Sequence, residues 1–209
     1  MIHSIHRTHT ACLAVLFTVV SASPLFAQFP GFGIKGGLNL ASQKISGQDA
    51  GGDDLQSFPA LVAGAFMTYR IASWLEVQPE ALYSIKGARF EESGFSSTTL
   101  VDYLEVPILA RVSRRGGGRV GFYAAGGPYA AFQLRGRIRM KFSGSTEELD
   151  VTDRIERTDF GLSIGGGVEF GRVVFDGRYV HGLKDIDKEH SDRIKVTNRT
   201  IAITAGYRF

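Results

Sequence analysis

The chain has 209 residues, which is enough for one domain, and its formal net charge of +3 comes from 24 basic and 21 acidic residues. This near balance, without a clustered basic face, argues against nucleic-acid binding. With 26 glycines, 6 prolines and 11% aromatic residues, the composition favours many short strands over long helices.

The first 27 residues have the pattern of a secretory signal peptide. Residues 11–20 form a short apolar run, and cleavage is expected after Ala27, with Ala22 as the second choice. An uncleaved anchor is the alternative, although the run is short for a membrane span. Cys12, the single cysteine, does not follow the run as a lipid-modified cysteine should. We therefore predict a signal peptide at 1–27 and one domain at 28–209.

Apolar and polar residues alternate with a period of two through most of the remaining chain. Leu75 and Val77, for example, share one face, and Glu76 and Glu80 share the other. Successive strand side chains point to opposite faces, whereas a helix would scatter the two classes around its circumference. The alternation predicts eight strands, at residues 32–40, 58–70, 75–87, 103–113, 119–135, 158–170, 173–183 and 199–209. The inward face of 58–70 stays unassigned because both of its faces are apolar.

The connections between these strands alternate in length. Short links are expected near 71–73, 114–118 and 171–172, and long polar links near 43–57, 89–98, 137–157 and 185–195. Short turns on one side and long outer loops on the other are typical of outer-membrane barrels. The predicted fold is therefore all-β: an eight-stranded antiparallel up-and-down transmembrane β-barrel.

The two strand faces support a barrel in lipid. The apolar face has aromatic residues near strand ends, among them Phe32, Trp74 and Phe209, as in an interfacial girdle. The polar face has six acids and six bases that we expect to pair in a closed lumen, because unpaired buried charge is costly. They are Lys35, Glu76, Glu80, Lys86, Glu105, Arg111, Arg135, Asp159, Glu169, Asp176, Arg178 and Arg208. A soluble sandwich with a solvated charged face is the alternative.

Several stretches resemble the PorT-like family of outer-membrane β-barrel proteins, which is common in Bacteroidetes. They include GFGIKGGLNLA at 31–41, LEVQPEALYSIKGARF at 75–90, DFGLSIGGGVEF at 159–170 and TIAITAGYRF at 200–209. The resemblance covers nearly all of the domain and implies a porin-like barrel in the Gram-negative outer membrane, but it specifies no activity. The secretion role of one family member does not carry over.

The expected partners follow from this location. They are outer-membrane lipids and lipopolysaccharide, together with the barrel-assembly machinery, whose recognition signal the last strand ending in Phe209 resembles. We expect no nucleic-acid partner and a monomeric protein.

No motif predicts a catalytic, cofactor-binding or metal-binding residue. Residues 165–167 are three glycines inside a strand, which favours strand kinks and close packing over a phosphate loop. Glu76 and Glu80 could handle protons, but pairing with Arg111 or Arg178 is the expected arrangement.

His181 is the one candidate for surface hydrolase chemistry. It falls on the outward face near the loop end of its strand, where Leu183 rather than a serine follows. An interfacial histidine that touches lipid head groups is therefore expected instead. The acidic loops have no calcium-loop spacing.

Three functions remain open. The interior of an eight-stranded barrel is just wide enough for side chains, so the twelve charges with Tyr123 and Tyr129 should fill it. We therefore predict a non-enzymatic structural or interaction scaffold with a narrow, charge-filled lumen and little conductance. A small porin-like solute channel is the alternative, and an enzyme that modifies envelope lipids is the third hypothesis.

Overall fold

A computed structural model describes residues 31–47, 56–92, 95–115, 120–142, 145–186 and 194–209. The predicted signal peptide at 1–27 lies outside these ranges and stays a prediction. The strands are β1 (Gly31–Gly47), β2 (Phe58–Arg70), β3 (Leu75–Glu92), β4 (Phe95–Arg115), β5 (Val120–Phe142), β6 (Ser145–Asp150), β7 (Thr158–Phe170), β8 (Val173–Gly182) and β9 (Ile194–Arg208). One 3-10 turn, Thr152–Arg154, follows β6. No helix within the described ranges is long and apolar enough to cross a membrane.

Eight of these strands form a closed ring, which confirms the predicted up-and-down barrel. Neighbours in the ring are β1, β2, β3, β4, β5, β7, β8 and β9, all antiparallel, and β6 pairs only with β5. The ring closes where β9 pairs with β1, from Gly33↔Arg208 to Gly47↔Ile194. Because closure gives each of the eight strands two neighbours, their backbone groups are paired without access to water.

The alternation of side chains decides which residues fill the ring. In β2 the side chains of Phe58, Ala60, Val62 and Phe66 are buried, whereas Leu61 is 49% exposed. This pattern assigns the inward face of 58–70, which the sequence left open. The interior therefore contains apolar and aromatic groups as well as charges.

The outer wall is apolar. Its half-exposed residues include Phe32, Ile34, Leu38, Leu40, Leu61, Leu104, Ile108, Phe122, Phe132, Phe160, Ile164, Phe175, Ile201 and Ile203. A contiguous apolar surface of this size would be unfavourable in water. It is the surface that a barrel presents to lipid.

Two of the predicted long loops are largely strand, which corrects the sequence prediction. Within 89–98, β3 runs to Glu92 and β4 begins at Phe95, and within 137–157, β5 runs to Phe142 and pairs with β6. The links at 43–57 and 185–195 are shortened in the same way by β1 and β9. Apolar and polar residues need to alternate only where a strand borders lipid on one side and the lumen on the other. The strand extensions at the loop end lie beyond that level, so their sequences do not have a period of two.

A β-bulge in β5 corrects a second prediction, that Arg135 faces the lumen. Tyr103 pairs with Gln133 and Asp102 with Arg135, so Leu134 has no partner across the ladder. One extra residue shifts the alternation by one position. The Arg135 side chain is consequently 53% exposed and interacts with acids of β6 instead of filling the lumen.

Gly87 of β3 lies near the loop end and pairs with Leu100 of β4. Its φ of +140° is a conformation that only glycine adopts readily. A Cβ at this position would lie 2.0 Å from the carbonyl oxygen of Thr99. On the loop side of Gly87, Arg89 of β3 forms a bridge with Gln56. This bridge is shifted by one residue from the register of the β2–β3 pair, in which Val62 lies opposite Ser84.

Candidate functional site

The centre of the lumen is crossed by an ion-pair network. Arg178 of β8 donates two hydrogen bonds to Glu80 of β3, at 2.8 and 2.9 Å, and Lys35 of β1 donates to the same carboxylate at 3.0 Å. Arg178 also donates to Asp176 at 3.1 Å. The side chains of Glu80 and Arg178 are 0% and 5% exposed, so two positive and two negative charges balance away from water.

A second cluster lies nearer the loop end. The Lys86 ammonium is 2.6 Å from Glu105 and 3.9 Å from Asp159, and it lies 4.2 Å from the centre of the Tyr129 ring. The Tyr129 hydroxyl and the Asn198 amide each donate to Asp159 at 3.0 Å. This cluster therefore ties β3, β4, β5, β7 and β9 together.

A third cluster lies nearer the short turns. Arg111 contacts Glu76 at 3.3 Å and Glu169 at 2.5 Å, and its guanidinium lies 3.7 Å from the centre of the Tyr123 ring. Arg208 contacts the same Glu169 oxygen at 2.5 Å. Both glutamates were expected to pair with a lumenal base such as Arg111 or Arg178, and the structure pairs Glu76 with Arg111 and Glu80 with Arg178.

Eleven of the twelve predicted lumenal charges thus lie in these clusters, with side chains at most 12% exposed. The predicted lumenal positions of Tyr123 and Tyr129 are also confirmed. Asp102, which sequence analysis did not single out, lies on the opposite face of β4 from the lumenal Val101 and Tyr103 and pairs across the ladder with the exposed Arg135. It receives two hydrogen bonds of 3.0 Å from Arg137.

Two glycines of β7 make room for the large lumenal side chains. A Cβ at Gly167 would lie 2.5 Å from the Tyr123 hydroxyl, and one at Gly165 would lie 2.9 Å from the Arg178 Cγ. The run 165–167 therefore serves close packing inside a strand, as predicted.

Little space is left between the clusters. Two cavities that share Lys35, Asp176 and Arg178 in their walls measure about 20 and about 10 Å³. Each has room for about one water molecule. Neither of these two cavities can hold a solute larger than water.

The loop end holds a larger cleft, of about 520 Å³, between the start of β2 and the extended β3, β4 and β5. Thr98 of β4 pairs with Arg89 on one side and Arg139 on the other, so all three side chains share one face. Arg89 also donates a hydrogen bond to the Thr98 hydroxyl at 3.3 Å. We call this cavity the loop-end cleft.

Weak ion pairs surround the loop-end cleft. Arg89 contacts Glu91 at 3.4 Å and Arg139 contacts Glu148 at 3.3 Å, with all four side chains about one-third to one-half exposed. No described acidic residue forms an ion pair with Lys141, which lines the same cleft. Exposed pairs of this kind contribute about 0–1 kcal/mol, so a ligand could displace them.

The hairpin beside the cleft is held by local hydrogen bonds. Asp150, at the end of β6, accepts a hydrogen bond from the backbone N–H of Thr152 at 2.9 Å. Hydrogen bonding from Thr152 lowers the pKa of the Asp150 carboxyl. Asp150 therefore stays charged opposite the exposed Arg135, which it approaches to 3.7 Å.

His181 lies on the outward face of β8, as predicted, and stacks on Tyr179. Register brings Ser42 into its row, with Arg199 of β9 between them, which sequence analysis did not foresee. Two strand spacings, about 10 Å, separate the serine and the histidine, so they form no nucleophile–base pair. Within the described ranges no three His, Cys, Asp or Glu side chains group to hold a metal ion.

A closed antiparallel ring that is apolar outside and ion-paired inside defines a transmembrane β-barrel. Residues 26–188 match the family model of the outer membrane protein beta-barrel domain, and the chain belongs to that family. The protein is therefore an outer-membrane β-barrel protein. No curated protein sequence matches the chain.

Solved structures of small barrels are also similar to the chain, at low identity. The attachment invasion locus protein Ail of Yersinia pestis is 18% identical, with 86% of this chain and 99% of that chain covered and a TM-score of 0.43. Neisserial surface protein A is 15% identical over 85% of this chain and 97% of that chain, with a TM-score of 0.43. The N-terminal barrel domain of Pseudomonas aeruginosa OprF is 10% identical, with 85% of this chain and 97% of that chain covered and a TM-score of 0.36.

Proposed function

We propose that the protein is a closed, non-enzymatic outer-membrane scaffold that does not conduct solutes. The observation that carries this proposal is the contact between Glu80 and Arg178, which joins opposite walls of the lumen. Ion-pair clusters above and below it fill the remaining cross-section, as expected of an eight-stranded barrel.

The scaffold acts through its loop end. At this level both faces of β4 are covered, because Val101 packs against Tyr103 and Tyr129 while Leu100 packs against Phe58 and Ala60. Rigid strand extensions hold a binding surface with less loss of entropy than a flexible loop. The loop-end cleft, with its exposed basic side chains, is the part of this surface that we assign to partner binding.

The remaining parts of the proposal concern export and surroundings. Residues 1–27 serve as a cleavable signal peptide, and the barrel belongs to the PorT-like type. The monomeric barrel contacts outer-membrane lipids and lipopolysaccharide through its apolar wall. The assembly machinery recognises β9, whose outward face presents Ile201, Ile203 and Tyr207 next to Phe209.

Planar-bilayer recording of the purified barrel tests the closed lumen. We expect no stable single-channel current, and reconstituted vesicles should not swell in sugar solutions. A larger porin, whose barrel leaves an aqueous channel, is reconstituted in the same way as the positive control and should conduct. Large stable currents from the unaltered protein would instead support the small porin-like channel.

A separate measurement addresses the enzyme hypothesis. Lipid A from cells that overproduce the protein should have an unchanged mass, because the outward row that contains Ser42 and His181 keeps these two side chains about 10 Å apart. A new lipid A species, lost in a His181→Gln variant, would overturn the non-enzymatic part of the proposal.

A further inference from the structure

The apolar outer wall ends at a sharp level on the side formed by β8, β9 and β1. Ile201 of β9 pairs with Leu40 of β1 on one side and with Tyr179 of β8 on the other. These three outward side chains are half-exposed and form one apolar row. The next row towards the loop end lies two residues on, about 7 Å along the strands, and is polar.

That polar row combines donors from three strands. Arg199 of β9 lies between Ser42 of β1 and His181 of β8, and directly paired side chains on one face are about 5 Å apart. Lys44 pairs with Thr197, which makes it the diagonal neighbour of Arg199, at about 7–8 Å. A guanidinium, an ammonium, an imidazole and a hydroxyl are thus grouped where the apolar wall ends.

The opposite wall has a different arrangement at the same end of the barrel. There the outward Arg135 forms ion pairs with Glu148 and Asp150, both at 3.7 Å. By contrast, no ion pair joins Lys44 or His181 to an acidic residue in the parts of the chain that the structure describes. The β8–β9–β1 side therefore presents the Lys44 ammonium and the His181 imidazole outward without an ion-paired acid among the residues that the structure describes.

We propose that Lys44, Arg199 and His181 bind a phosphate group of a phosphorylated glycolipid in the outer leaflet. The ligand needs an anionic group that reaches the polar row. It also needs apolar chains that pack on Leu40 and Ile201, in the row on the membrane side of the polar row. Arginine and lysine are the side chains that best match a phosphate oxyanion. The assignment rests on the lipid contact proposed above and gives it a specific place and chemistry.

Thermal stability in defined lipids tests the site. The purified barrel is reconstituted in phosphatidylcholine vesicles that contain either bisphosphorylated lipid A or its dephosphorylated form. Heat modification on SDS gels then gives the midpoint temperature. We expect a higher midpoint with the phosphorylated lipid, and we expect the double variant Lys44→Gln with Arg199→Gln to lose that difference. Comparing the two lipids within one variant removes any effect of the substitutions on basal stability.

Two further arms make the test specific. Arg135→Gln, on the opposite wall, should keep the full difference between the two lipids. Inorganic phosphate added to phosphatidylcholine vesicles should give no rise, which distinguishes the lipid headgroup from free phosphate. The site assignment is overturned by equal midpoints for the unaltered protein, by an undiminished difference in the double variant, by its loss in Arg135→Gln, or by a full effect of inorganic phosphate. None of these outcomes bears on conductance, so the closed-lumen proposal is judged independently.

Discussion

Glu80 and Arg178 connect strands that are diametrically opposed in the barrel. β3 and β8 are separated by three strands in either direction around the ring, and two hydrogen bonds of 2.8 and 2.9 Å join their side chains across the centre. Together with Lys35 and Asp176, they form a group in which the charges sum to zero. The stability of the barrel and the proposed closure of its lumen thus depend on the same contacts.

Removing one charge from this group should lower the free energy of unfolding substantially. Glu80→Gln keeps the shape but leaves Lys35 and Arg178 with only Asp176 as a buried counter-ion. Breaking a buried pair on one side typically costs about 3–5 kcal/mol. Urea unfolding in lipid vesicles measures the change in free energy. The matched control is Glu91→Gln, which breaks an exposed pair with Arg89 and should cost about 0–1 kcal/mol. Equal losses in the two variants would contradict the central role of Glu80.

Replacing both Glu80 and Arg178 should destabilise the barrel less than the sum of the two single replacements. Glu80→Leu with Arg178→Leu leaves Lys35 and Asp176, 3.8 Å apart, as a balanced pair. Apolar side chains of similar volume often replace a buried ion pair without loss. The double-mutant cycle should therefore give a coupling energy of about 1–3 kcal/mol between the two sites, measured by the same unfolding experiment. Additive effects would show that the two side chains act independently.

The sequence alone was sufficient to predict the ring and most of its interior, for one physical reason. A strand that borders lipid on one side and a narrow lumen on the other must alternate, so Glu76, Lys86 and Asp159 could be placed from their neighbours. That the lumenal glutamates pair with arginines was also predictable, because a narrow lumen brings opposite charges together, but which arginine each glutamate contacts follows only from the strand register.

The features that sequence analysis did not predict lie mainly where a strand no longer has lipid on one side and the lumen on the other. β6 and the extended ends of β3, β4 and β5 lie beyond the lipid-facing band, so their residues need not alternate. The bulge at Leu134 depends on local backbone geometry, and it reverses the direction of Arg135 without any change in composition. The inward face of β2 was ambiguous, because Phe66 and Leu61 are equally apolar and only tertiary packing separates them.

Gly167 should tolerate no side chain. An added Cβ would meet the Tyr123 hydroxyl at 2.5 Å and the carbonyl oxygen of Phe175 at 2.1 Å, so Gly167→Ala must displace both a lumenal ring and a neighbouring strand. Overpacking of this kind costs about 1–3 kcal/mol. Gly177→Ala is the control, since nothing lies within 4 Å of a Cβ at that position of β8. The urea midpoint should fall for Gly167→Ala and stay within error for Gly177→Ala, and the reverse order would contradict the packing described for β7.

The seam between β9 and β1 should depend on aromatic contact. Phe209 stacks on Phe32 with ring centroids 5.8 Å apart, and its backbone N–H donates to the Phe32 carbonyl oxygen at 2.8 Å. Phe209→Ala removes the ring contact across the closing strand pair and keeps the backbone bond. It should lower the fraction of protein that reaches the heat-modifiable, folded form after insertion into vesicles. Phe170→Ala is the matched control, because Phe170 is a similarly exposed aromatic at the same end of the barrel but contacts Phe175, away from the seam. If both variants lost the same folded fraction, the effect would come from a reduced aromatic girdle, and the specific role of the β9–β1 seam would be wrong.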